Sequence, residues 1–85
     1  MVLLPRKMNT TALRIILLQK AIDELVTSNL EALEQEELVK IDERIESTTN
    51  ECIFFSERQD DKRVLYELTT LLNWIDYYIS KQLEF

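Results

Sequence analysis

The chain has 85 residues, a net charge of −6, one cysteine, one proline, no glycine and no histidine. That length sets at most one domain with a small core. A lone Cys52 excludes an internal disulfide, and the missing histidine removes the commonest metal ligand and the usual general base.

Two-residue hairpins and turns of positive φ lean on glycine, so a β-sandwich or barrel is excluded and the fold is expected to be all-α. Small domains compensate for a marginal core with disulfides, metal or partners. Here a partner is the compensation left open.

Residues 1–8, "MVLLPRKM", are expected to be a flexible extension, with Met8 a second possible start. The basic pair follows the short apolar run instead of preceding it, which is the wrong order for a signal peptide. No stretch approaches the ~18 apolar residues of a membrane span. The expectation is a soluble, cytoplasmic protein with a reduced thiol.

A single helical domain is expected over 9–85, with helices near 9–28, 30–47 and 51–83. In the first, Ile15, Leu18, Ile22, Leu25 and Val26 recur at helical spacing. Ser28 with Glu31 has capping-box spacing, and Asn29 tolerates the left-handed conformation that ends many helices. The second helix carries the stripe Leu30, Leu33, Leu38, Ile41 and Ile45, with Glu36 and Lys40 as an i,i+4 pair. "STTN" at 47–50 is expected to interrupt it, and Thr48 with Glu51 repeats the capping-box spacing. A kink is expected near Ser56–Asp61, where Asp60 or Asp61 can cap the next helical segment. The runner-up architecture is a two-helix hairpin hinged at "STTN". In either form, a helical hairpin or three-helix bundle with a long C-terminal helix, completion by oligomerisation or a partner is expected.

The last helix is the most informative. Leu65, Leu72, Ile79 and Leu83 lie within about 20° of one line, and Leu68, Ile75, Val64 and Leu71 extend that face to about −100°. Tyr78, Phe85 and Trp74 carry it to about −160°. A surface helix typically needs an apolar arc of only about 100°, so one neighbour cannot cover this one. Leu68, Leu72, Ile75, Ile79 and Leu83 are therefore read as core. Trp74, Tyr77, Tyr78 and Phe85, with Lys81 beside them, are the candidate partner-binding residues, because Tyr and Trp serve well where one end is dry and the other wet.

Charge is unevenly placed. Residues 1–20 hold four bases and no acid, residues 21–51 hold ten acids against Lys40 and Arg44, and the rest hold six acids against four bases. The acidic middle argues against nucleic-acid binding, which needs a basic footprint. A solvated helical face is its ordinary reading, and no Glu-x-x-His pair supports a carboxylate metal site. No partner base activates Cys52, and its neighbours should raise its thiol pKa. Arg58, Lys62 and Arg63 lack a glycine-rich phosphate loop. No catalytic, cofactor or metal residues are assigned, and no enzyme activity is expected.

The expected function is that of a small helical interaction module: an adaptor, co-chaperone or assembly factor, or a homo-oligomer. The alternative is an acidic inhibitor, such as an antitoxin, immunity protein or anti-factor, that neutralises a basic protein.

Overall fold

A computed structural model describes residues 10–83. The expected extension at 1–8 and the candidate contact Phe85 lie outside the described residues. The fold is all-helical: α1 spans Thr10–Ser28, α2 spans Gln35–Glu57 and α3 spans Asp61–Gln82.

α1 leaves its axis through turns rather than a second helix start. Ser28 Oγ donates back to the Glu24 carbonyl at 2.6 Å, and Asn29 Nδ2 donates to the Leu25 carbonyl at 2.8 Å. Both side chains therefore finish α1. Ser28 does not form the expected box with Glu31, and Asn29 is not left-handed. The box forms six residues later, where the Glu34 amide donates to Glu37 Oε1 at 2.8 Å. Leu30 consequently sits exposed in the connection, while Leu33 is buried and pins the connection to the core.

The largest departure from the sequence reading is at "STTN". α2 runs straight through it to Glu57. Thr49 Oγ1 donates to the Ile45 carbonyl at 2.7 Å, so its hydroxyl is satisfied inside the helix. Thr48 is buried on the packed face. No hinge or capping box forms there, and the two-helix hairpin hinged at this point is excluded. The third helix is accordingly not the long one: it has 22 residues against 23 in α2.

The chain turns at Arg58–Asp60 instead. The Asp60 amide donates to the Phe55 carbonyl at 2.9 Å and the Gln59 amide to the Ser56 carbonyl at 2.9 Å. These are the two bonds of a Schellman ending. That ending requires a left-handed residue, usually glycine. The chain has none, and Gln59 takes the position at φ 59°. Asp60 then caps α3, accepting the Arg63 amide at 3.2 Å. Termination and restart share three residues, which makes α2 and α3 an antiparallel hairpin.

α3 is the centre of the fold. It packs against both α1 and α2, whereas α1 and α2 make no close backbone approach to each other among the described residues. The buried stripe of α3 is Val64, Leu68, Leu71, Ile75 and Ile79. Ile22 of α1, Ile41 of α2 and Leu33 join it to form the core. The stripe is rotated from the expected line. Leu72 is half-buried against the core, and Leu83, expected inside, is 37% exposed at the end of α3. It stands at the C-cap, just past the last turn of α3.

Candidate functional site

Two surfaces come forward. The first is the aromatic flank expected from sequence, which the fold divides. Trp74 and Tyr78 stack with ring centroids 5.0 Å apart and planes 15° from parallel, and both pack on the core. Arg44 of α2 lies 5.1 Å over the Trp74 ring. These two aromatics thus face α2, one turn apart on α3, with a guanidinium as their lid. Tyr77 points the other way and is 62% exposed, with the Lys81 ammonium 5.8 Å from its ring. Of the candidate contacts, Tyr77 and Lys81 are outward, and Trp74 and Tyr78 are largely packing.

Sequence reasoning missed the second surface, because it depends on how α1 and α2 are spaced. A groove runs between them with α3 as its floor. Two adjoining hollows of about 310 and 240 Å³ share Gln19, Thr49 and Leu68. Ile15, Ile22 and Val26 form the α1 wall. Ile45, Thr49 and Cys52 form the α2 wall, above Val64, Leu68 and Leu71. Ile53, half-exposed, lines the groove from the α2 side.

The polar residues of the groove are arranged by sign. Asp23 and Asp42 line one hollow, Asp61 lines the other, and no lysine or arginine lines either. None of the three carboxylates has an ion-pair partner among the described residues. α2 as a whole holds seven acids against Lys40 and Arg44. The expected Glu36–Lys40 pair does not close to ion-pair distance; an i,i+4 pair instead forms on α3, Arg63 Nε to Glu67 Oε1 at 3.1 Å.

Cys52 sits half-buried on the groove wall. Burial, then the nearby Glu67 and Glu51 carboxylates, push its thiol pKa up. That direction agrees with the sequence reading and makes Cys52 a poor nucleophile at neutral pH. The basic residues near the α2–α3 turn lie over rings: Arg58 stands 3.5 Å above Phe54, and Arg63 stands 5.2 Å from Phe55. They shield partly exposed aromatics and do not converge on an anion site. Among the described residues no cluster of three or more acidic, cysteine or histidine side chains could hold a metal ion, and no helix is long and apolar enough to cross a membrane.

Against protein-family models, curated proteins and solved structures, the chain finds no match. The functional reading therefore rests on the surfaces themselves.

Proposed function

We propose that the protein is a small helical interaction module, an adaptor or assembly factor that binds a protein partner through apolar helix faces. The observation that supports this most is the amount of large apolar surface left open around so small a core. Ile16 and Leu17 on α1, Ile53 and Phe54 on α2, and Tyr66 and Tyr77 on α3 are all substantially exposed. Single exposed apolar residues are ordinary, but the adjacent pairs Ile16–Leu17 and Ile53–Phe54 are larger apolar patches of the kind that serve interactions, and Ile53 lines the apolar groove.

The test is sedimentation of the protein from the cells that make it, at native abundance. The module reading expects a defined complex of two or more chains. Ile53→Asp should release a folded monomer with an unchanged helical spectrum. A wild-type chain that sediments as a monomer would contradict the reading.

The acidic inhibitor is the second reading, favoured by the seven-to-two excess of acids on α2. It expects binding that falls steeply between low and physiological salt and is lost on charge reversal at Glu36, Glu43 and Glu46. The module reading expects reversals at these three glutamates, none of which lines the groove, to alter association rate more than affinity.

A further inference from the structure

α3 packs on two neighbours that do not pack on each other. In a four-helix bundle each helix packs on two neighbours while its diagonal partner stays apart, and the core forms between them. α1, α3 and α2 thus stand as three corners of such a bundle, and the groove over Leu68 marks the fourth. We infer that the α1–α2 groove is the docking site for a basic amphipathic helix of a partner protein. This rests on the module reading and names its surface and the chemistry of its occupant.

Charge selects the occupant. The groove is apolar along its middle, with Asp23 and Asp42 in one hollow and Asp61 in the other. An incoming helix with an apolar stripe at i, i+3, i+4 and i+7 fills the middle. Lysine or arginine toward each end of that stripe meets the carboxylates. A second copy of this chain fits poorly, because each copy carries −6 and the copies repel. α1, the most apolar candidate within the chain, carries Asp23 and Glu24 as well as Arg14 and Lys20, so it offers no net positive charge.

Length sets the size of the occupant. From Asp42 to Ser56 the α2 wall takes in fifteen residues, a rise of about 21 Å at 1.5 Å per residue, which matches a helix of about four turns.

The probe is a synthetic leucine/alanine helix of about 18 residues with lysines at both ends of its leucine face. Its control carries glutamate in place of each lysine. Binding to the full chain is read by fluorescence anisotropy of labelled peptide at about 50 and 200 mM salt. The lysine peptide should bind at least about tenfold more tightly than its control and weaken at the higher salt. Thr49→Arg, an exposed groove-wall position that would both fill the groove and repel the lysines, should cost at least about tenfold, as should Asp23→Lys with Asp42→Lys. Asn73→Ala, exposed on the side of α3 opposite its buried stripe, should leave affinity within about twofold. Equal binding of the two peptides would overturn the proposal, as would lysine-peptide binding that Thr49→Arg leaves intact. A native complex that survives Thr49→Arg but is lost with Tyr77→Ser would sink the groove assignment and leave the module reading standing. A wild-type chain with no complex at all would remove both.

Discussion

α1 and α3 are of similar length and similarly rich in apolar residues, yet they meet opposite fates. α3 buries five residues along one stripe, whereas α1 buries only Ile22. The difference lies in arrangement. α3 sets its aliphatic residues at steps of three and four on one face. α1 spreads Leu13, Ile15, Ile16, Leu17 and Leu18 almost all the way round its cylinder. A helix that is apolar all round is normally buried. Here α1 has α3 on one side, an open groove on another, and Leu17 at 55% exposure on a third. α3 buries the face that its pattern offers, whereas α1 leaves Ile16 and Leu17 exposed.

Substitutions can break or sharpen that contrast. The largest effect is expected at the centre of α3. Ile75 is fully buried, and Ile75→Ala should cost about 3 kcal/mol, measured by urea unfolding. A loss under about 1 kcal/mol would mean that α3 is not the structural centre. Trp74→Ala should cost about 2 kcal/mol, since it removes a stacked, half-buried ring and leaves Arg44 without its platform. The neighbouring Tyr77→Ser should cost less than about 0.5 kcal/mol. Similar costs at the two positions would reunite the aromatic flank that the fold divides.

Gln59→Gly should stabilise the chain by up to about 1 kcal/mol, because glycine takes the left-handed turn before α3 without a Cβ clash. A lower melting temperature for that variant would contradict the Schellman ending. On α1, Leu17→Ser should change stability by no more than about 0.5 kcal/mol. A loss of several kcal/mol would show that α1 is already enclosed in the isolated chain. The smallest effect is at Cys52. Its raised thiol pKa stabilises the fold below the ordinary thiol range, and that contribution is lost as pH climbs through and above it. Alkylation near pH 8 should run slower than for an unfolded peptide thiol, measured by mass spectrometry. Equal rates would place Cys52 outside the groove wall.

Much of the architecture was legible in the residues. The absence of glycine and the helical spacing pointed to helices. Asp60 was readable as a cap, and Leu68, Ile75 and Ile79 as core. Helix ends were less legible, because hydroxyl residues carry two meanings. The same Thr or Ser can cap a new helix or bond back to the carbonyl four residues earlier, and at Ser28 and Thr49 the second use prevails. The turn at Gln59 was hidden for a related reason: with no glycine to mark it, a residue of no turn preference takes the left-handed position. Of the surface, the outward placement of Tyr77 was readable from the width of the α3 arc. The covering of Trp74 by Arg44 was not, since it depends on α2 extending past "STTN" and lying antiparallel to α3. The groove had no sequence signal, because it arises from a helix pair that fails to pack.

That missing pair is the point to measure. Amide hydrogen exchange should be followed for the protein alone and for the complex purified from the cells that make it. In the free protein, α3 should be the most protected helix, with α1 and α2 opening more readily. In the complex, exchange should slow along both groove walls, residues 15–26 of α1 and 42–56 of α2, with α3 little changed. Protection gained only around residues 74–82, with the groove walls exchanging as before, would contradict a partner helix in the groove.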